Sequence, residues 1–177
     1  MSDETLFGRY RKGDAAAFEL LYRRYRQSLY LYLLRACDSA ADADELYQDA
    51  WSRVIAAARP FREGSFKAYL FQIARNLQID RYRRQRIQAV DDDEALRRLA
   101  DPLPSPDERA HREDCGERMK RELAKLPREQ CEAFLLKEEA GLSLEQIAQM
   151  ISVGRETVKS RLRYAVKRLR RLLEECL

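Results

Sequence analysis

Residues Gly141–Arg171 read GLSLEQIAQMISVGRETVKSRLRYAVKRLRR, and this stretch decides how the C-terminal part of the chain folds. Ser143 followed three residues later by Gln146 is a capping-box pattern, so we expect a short helix to begin there. Segment 152–154 then interrupts the helix, and Gly154 supplies the freedom that a tight turn needs. A second helix follows, with apolar residues at helical spacing: Val158, Leu162, Ala165, Val166, Leu169, Leu172 and Leu173.

The opposite face of this second helix is mainly basic. It carries Arg155, Glu156, Lys159, Ser160, Arg163, Lys167 and Arg170. Two short helices joined by a tight turn, the second of them basic, form the helix-turn-helix pattern. Such a helix can lie in a major groove, with its first residues on base edges and its later arginines on phosphates. The alternative is a surface helix with a solvated basic face, but cap, turn and asymmetric charge together favour DNA binding.

Composition limits the class of protein. The 177 residues suit one domain or two small ones, and the net charge of +4 is mild. No apolar run approaches a membrane span and the first residues, MSDET, are not signal-like, so we expect a soluble cytoplasmic protein. The four cysteines form no close pair, which argues against a disulfide framework. With few glycines and prolines and no alternating strands, the chain is predicted to be all-α.

Capping residues and breakers predict the helices of the first half. A short helix over Asp3–Arg11 opens the chain, and Asp14 caps a long helix that ends near Cys37. Tyrosines along the long helix can form a base-stacking platform, although their helical spacing favours core packing. A third helix is expected over Ser39–Ala58, and Ser65 can cap a fourth from Phe66 to about Gln85.

Two surfaces in this half leave alternatives open. The third helix carries a polar and aromatic set that can dock a basic partner or form only a solvated acidic face: Leu46, Gln48, Asp49 and Trp51. The fourth helix interleaves aromatic residues with cations. That pattern suits single-stranded nucleic acid, but it also fits core packing beside solvated arginines.

Composition changes after the fourth helix. The run DDDE at 91–94 and the three prolines between 102 and 106 predict a flexible acidic linker over 88–106. Helix resumes at about Asp107 and continues to about Lys125, and a further helix covers Arg128–Ala140. The expected organisation is therefore a first domain over 1–87, the linker, and a second domain over 107–177.

The sequence shows no motif for catalysis or for metal binding. The sequence has no phosphate-binding glycine loop, no nucleophile elbow and only one histidine. His111 and Cys115 lie one helical turn apart, but two ligands do not make a metal site and no C-x-x-C completes it. We expect no catalytic residue, no cofactor and no metal.

Three stretches carry a family resemblance: DADELYQDAW at 42–51, FKAYLFQIARNLQIDRYRR at 66–84 and LPREQCEAFLLKEEAGLSLEQIA at 126–148. Together they resemble the bacterial extracytoplasmic-function (ECF) sigma factors of the sigma-70 family. The resemblance implies two helical domains, region two and region four, that lend RNA polymerase promoter recognition and perform no chemistry. The rival hypotheses are a stand-alone helix-turn-helix regulator, which usually binds as a symmetric dimer, and a helical adaptor that binds only protein.

The resemblance also implies roles for individual positions. One set docks on the clamp helices of core RNA polymerase: Asp44, Glu45, Leu46, Gln48, Asp49 and Trp51. A second set melts and reads the minus-ten element: Phe61, Arg62, Ser65, Lys67, Tyr69, Arg75, Asn76, Asp80, Arg83 and Arg84. A third set reads the minus-thirty-five element: Arg155, Glu156, Thr157, Lys159, Ser160, Arg161, Arg163 and Arg168.

The implied partners are core polymerase (clamp helices and flap), promoter DNA and an anti-sigma factor, which is often membrane-bound, with no insertion of this chain into a membrane. Four positions depart from the family pattern. Tyr69 stands where tryptophan is common, Trp51 replaces phenylalanine, and Asp44-Glu45 reverses the usual order. The departures bear on promoter preference and on the clamp contact, not on the class.

Overall fold

The computed structural model of the chain describes residues 1–57, 64–91 and 115–176, and within these ranges it contains helices and no strand. The predicted all-α class is confirmed. The expected linker lies outside these ranges except for residues 88–91. The helices are α1 (Asp3–Arg11), α2 (Ala15–Ala36), α3 (Ala40–Ala56), α4 (Phe66–Asp91), α5 (Cys115–Ala124), α6 (Arg128–Glu138), α7 (Leu144–Ile151) and α8 (Arg155–Cys176).

Side-chain caps fix where the first three helices begin. Ser2, Asp14 and Ser39 each accept a hydrogen bond from the backbone N–H three residues later, at 3.1–3.2 Å. Such caps satisfy donors that a helix leaves unpaired at its first turn. The sequence therefore located these boundaries to within two residues.

α4 is longer than the sequence predicted, because it continues past Gln85 to Asp91. Residues 86–91 contain neither glycine nor proline, and arginine, glutamine and alanine are good helix formers. The first residues of the expected linker, 88–91, are consequently helical.

Helices α1–α4 form the N-terminal unit, whose core is aromatic and aliphatic. Tyr32, Phe66 and Phe71 are fully buried, with Tyr32 meeting Phe71 edge to face at a centroid distance of 5.4 Å. Tyr25 is 7% exposed. The prediction that the α2 tyrosines pack in the core is thus confirmed for Tyr25 and Tyr32, and Phe66 and Phe71 also belong to the core rather than to a base-stacking face.

Helices α5–α8 form the C-terminal unit, in which α7 and α8 make the predicted helix-turn-helix. Both hydrogen bonds of the capping box are present: the Gln146 N–H donates to Ser143 Oγ at 3.1 Å, and the Ser143 N–H donates to Gln146 Oε1 at 2.9 Å. The expected role of Gly154 is wrong, because Ser152 takes the left-handed conformation instead (φ 56°). The Gly154 carbonyl accepts hydrogen bonds from the first turn of α8.

One apolar stripe of α8 faces the unit's core. Val158, Ala165 and Leu169 are buried, whereas Val166 is 42% exposed. Val166 was predicted to share the stripe, but it lies one residue beyond Ala165 and so about 100° around the helix from it. The stripe is narrower than the apolar spacing suggested.

The two units pack against each other. Arg75 of α4 donates to Glu132 of α6 at 2.7 Å, and Arg35 of α2 pairs with Glu139 just after α6. Lys67 Nζ lies 3.3 Å from the Gly141 carbonyl oxygen. The interface therefore combines ion pairs with the shared apolar core.

The cysteines differ from expectation at one position. Cys37 and Cys131 are free thiols, but Cys115 is disulfide-bonded. His111 lies outside the described residues. None of the described helices combines the length and the apolar character that a bilayer span requires.

Candidate functional site

The docking residues predicted on α3 divide between its surface and its core. Asp44, Glu45, Gln48 and Asp49 are exposed, but Leu46 and Trp51 are 3% and 5% exposed. Trp51 meets Phe18 edge to face at 5.7 Å. The expectation that this tryptophan faces a partner is therefore wrong: it supports α3 from inside, and only the polar residues can contact a partner directly.

An open groove of about 490 Å³ lies between α2 and α3 beside these polar residues. Its lining includes Asp44 and Gln48, together with residues that the sequence reasoning missed: Arg26, Gln27, Tyr30 and Tyr47. Arg26 and Gln27 lie four and three residues before Tyr30, so the three share one side of α2, and this spacing was the signal available in the sequence. The acidic surface of α3 therefore borders a groove that could accept part of a partner.

Hydrogen bonds and ion pairs fix the shape of this surface. The Tyr30 hydroxyl bonds the Asp44 carboxylate, and this hydrogen bond raises the pKa of Tyr30. On the other side of α3, Arg81 of α4 pairs with Glu45 at 2.6 Å and also with Asp42. The hydrogen bond to Glu45 contributes most to raising the pKa of Arg81. The negative charge of Glu45 is thus partly balanced by Arg81, while Gln48 and Asp49 have exposed side chains.

The predicted minus-ten residues that the structure describes fall into three groups: those at the start of α4, those that face the C-terminal unit, and those open to solvent. Phe61 and Arg62 lie outside the described residues. At the start of α4, Ser65 Oγ accepts from the Ala68 N–H at 3.4 Å, and Tyr69 is half-buried beside Phe7, with ring centroids 6.0 Å apart. Burial raises the pKa of Tyr69. Tyr69 is therefore partly core and partly accessible.

A second group faces the C-terminal unit. Arg75 and Glu132 have side chains 18% and 20% exposed, so this ion pair is largely shielded from water. Further along α4, the Arg128 guanidinium lies 4.8 Å from the centre of the Tyr82 ring. The third group is open to solvent or nearly so: Asn76, Arg83 and Arg84 are exposed and Asp80 is half-buried.

The minus-thirty-five residues lie on one helix, α8, around its surface outside the buried stripe. Arg155, Glu156, Thr157, Lys159, Arg163 and Arg168 are exposed, and Ser160 and Arg161 are half-buried. Arg155 pairs with Glu145 of α7 at 2.7 Å, and Lys159 pairs with Glu156 at 3.0 Å. Such exposed pairs contribute little energy and can exchange for phosphate contacts. This surface matches what the sequence predicted more closely than the α4 surface does.

Comparisons with known proteins agree with this architecture. Residues 21–87 match sigma-70 region 2, and residues 116–169 match sigma-70, region 4. The chain is 32% identical to the ECF RNA polymerase sigma factor SigM of Mycobacterium tuberculosis over 173 residues, which cover 97% of this chain and 85% of SigM. It is 33% identical to EcfG of Rhodopseudomonas palustris over 147 residues, covering 82% of this chain and 79% of EcfG.

A solved structure shares the arrangement of helices. The sigma factor RpoE, in a co-crystal with the anti-sigma factor NepR from Bartonella quintana, matches with a TM-score of 0.71 and 26% identity. The match covers 89% of this chain and 96% of that one. The matches to region 2 and region 4, on two helical units with a helix-turn-helix in the second, show that the chain is a sigma-70-type initiation factor. The chain belongs to the ECF RNA polymerase sigma factors, and it directs promoter-specific transcription without being an enzyme.

Proposed function

We propose that the two units divide the work of promoter recognition between them. Region two, over 1–87, docks on the clamp helices of core polymerase and reads and melts the minus-ten element. Region four, over 107–177, reads the minus-thirty-five element and contacts the flap, and the acidic stretch 88–106 connects them. The chain acts in the cytoplasm.

The groove between α2 and α3 carries this proposal. Its acidic side presents Asp44, and the exposed Gln48 and Asp49 continue the same surface. A stand-alone helix-turn-helix regulator needs no such surface, because it binds its operator without a polymerase clamp. Trp51 and Leu46 contribute indirectly by holding α3 in position from the core.

DNA reading is assigned to two helices. On α8, Lys159 and Arg163 reach base edges from the N-terminal half, while Arg168 contacts phosphate. On α4, Tyr69 stacks on a base extruded from the non-template strand, and Lys67, Arg83 and Arg84 neutralise the backbone. These roles are supported by the family membership, by the exposure of the five arginine and lysine side chains other than Lys67, and by the partial exposure of Lys67 and Tyr69.

We also propose that an anti-sigma protein regulates this chain. RpoE from Bartonella quintana, whose fold this chain shares, was crystallised with the anti-sigma factor NepR. Such a partner would cover surfaces that polymerase or promoter DNA requires. Pull-down with the purified chain, before and after addition of core polymerase, would test whether the two compete.

Holoenzyme assembly tests the docking surface. Asp49→Arg combined with Gln48→Ala should abolish co-elution with core polymerase, because a positive charge replaces an exposed acid while the core residues of α3 stay unchanged. Glu117→Arg is the matched control: it reverses an exposed acid on α5, away from the groove. Helical content should be unchanged in both variants by circular dichroism. Normal co-elution of the double variant would remove the docking assignment and favour the stand-alone regulator.

A further inference from the structure

Helix α1 lies outside the segment that matches sigma-70 region 2, which begins at residue 21, yet it contacts the helix that carries the proposed minus-ten residues. The Glu4 carboxylate accepts a hydrogen bond from the backbone N–H of Phe66, the first residue of α4, at 3.1 Å. This N–H is one of the donors that a helix leaves unpaired at its first turn. Glu4 therefore caps α4 from a position 62 residues earlier in the chain.

The same short helix also reaches the end of α3. The Tyr10 hydroxyl donates to the Ile55 carbonyl at 3.4 Å, one residue before α3 ends at Ala56. Glu4 and Tyr10 thus connect α1 to the last turn of one helix and to the first turn of the next. The relative placement of those two helix ends depends on α1.

Aromatic packing extends this contact to a proposed base-stacking residue. Phe7 is 3% exposed and lies 5.1 Å from the Phe66 ring and 6.0 Å from the Tyr69 ring, measured between centroids. One side of Tyr69 is consequently occupied by α1. Tyr69 is half-buried, and both Phe7 and Phe66 pack against its ring, so α1 contributes to how the ring is held.

α1 is itself held firmly on α2. Asp3 accepts hydrogen bonds from Arg24, at 2.5 Å, and from the Tyr25 hydroxyl. Leu6 is fully buried, and Ser2 caps the helix. The pKa of Glu4 is lowered by its own backbone N–H and then by that of Phe66, as expected of a carboxylate that accepts hydrogen bonds. A terminal helix held in this way can transmit a fixed geometry.

We propose that α1 is a positioning element for minus-ten recognition, in which Glu4 holds the first turn of α4 and Phe7 orients Tyr69. The inference rests on the proposed role of Lys67 and Tyr69 in reading that element. Holding these side chains before DNA arrives reduces the ordering that binding requires, and it restricts them to one base geometry. α1 therefore contributes to base selectivity without touching DNA.

Base selectivity of the holoenzyme tests the proposal. The measured quantity is the ratio of open-complex formation rates on a promoter with the preferred base and on one with a substituted base, at each minus-ten position. Glu4→Ala should reduce this ratio about five-fold at one or more positions, the change expected from one lost hydrogen bond. Glu4→Gln, which keeps an acceptor oxygen, should restore much of the ratio. Tyr10→Phe, which removes only the hydroxyl, should give a smaller reduction.

The controls separate this inference from the function on which it rests. Glu19→Ala removes a carboxylate that pairs only with Arg23 in the same helix, as far as the described contacts go, and it should leave the ratio unchanged. A wild-type holoenzyme without any minus-ten preference would contradict the proposed function. A selective wild type whose ratio survives Glu4→Ala would overturn the role of α1 alone. So would a variant that melts at a lower temperature and loses rate equally on every promoter, since that pattern indicates only a stability role.

Discussion

The two helices that we propose to face DNA, α4 and α8, differ in what covers them. The basic face of α8 is exposed, and its ion pairs with Glu145 and Glu156 lie at the surface. On α4, by contrast, Arg75 pairs with Glu132 of the other unit and is largely shielded. This conformation therefore leaves the proposed minus-thirty-five surface open, whereas α6 covers part of the proposed minus-ten surface.

The largest expected effect is on the alkylation rates of Cys37 and Cys131, which depend on whether the two units stay packed against each other. Burial raises the pKa of both Cys37 and Cys131 to about 11, from an ordinary value of 9.0. The thiolate is the reactive form, so at pH 8 both should be alkylated about a hundredfold more slowly than an ordinary thiol. The rate should rise as the pH approaches 11. Mass spectrometry of the separate peptides measures each cysteine.

Both thiols lie near the contact between the units. Asp38, next to Cys37, accepts from Lys120 of α5 through its carbonyl at 3.4 Å, and Cys131 precedes Glu132. Addition of core polymerase should accelerate alkylation if the units separate in the holoenzyme. Fast alkylation in the free chain at pH 8 would show instead that the units do not stay packed. In that case α6 would not cover α4, and α4 and α8 would be equally open.

Substitutions on α8 should have the next largest effect. Lys159→Ala or Arg163→Ala should weaken promoter binding by about 1–3 kcal/mol and relax preference at particular base pairs, because we propose that these side chains reach base edges. Arg168→Ala should weaken binding more evenly across sequences, as expected of a phosphate contact. Affinities of the holoenzyme for promoter variants decide between the two roles. Equal losses on every sequence from all three variants would contradict the division.

Sequence alone located the helices well because their signals are local. The capping pair Ser143 and Gln146 and the cap at Asp14 each act within three residues, so the pattern contains the whole interaction. The turn was less predictable, since glycine takes the left-handed conformation more readily than serine, yet Ser152 rather than Gly154 adopts it. Short-range capping patterns therefore predicted where the helices begin, but not the backbone conformation of the turn that ends α7.

The candidate sites were harder to predict because they depend on partners distant in the chain. Nothing near Trp51 in sequence shows that Phe18 and Tyr22 cover it, and its burial follows from the phase of α3 against α2. Arg75 and Glu132 are 57 residues apart, and their pairing exists only because the units meet. The exposed part of the α8 surface was predictable because a single amphipathic helix defines it.

The smallest expected effect comes from the ion pair between the units. Glu132→Gln removes the carboxylate that faces Arg75 at 2.7 Å, and it leaves a largely buried guanidinium without its counter-charge. That weakens the contact between α4 and α6 and frees Arg75 for phosphate. The affinity of the free chain for a single-stranded minus-ten oligonucleotide should rise a few-fold, by roughly 1 kcal/mol, the scale of one charge-assisted contact in partial burial.

Two further variants make this result specific. Glu122→Gln neutralises a carboxylate of α5 that pairs with Lys125, the residue just after that helix. It removes the same charge without loosening the interface, and affinity should stay at the wild-type value. Arg75→Gln combined with Glu132→Gln should cancel the gain, because the interface is weakened but the phosphate contact is absent.

Fluorescence anisotropy measures all three affinities, and Cys131 alkylation on the same samples reports how far the two units have separated. A rise in alkylation without a rise in affinity would mean that Arg75 serves only the contact between the units. Unchanged values of both would mean that this ion pair does not hold α6 on α4, and that the remaining contacts between the units cover the proposed minus-ten surface.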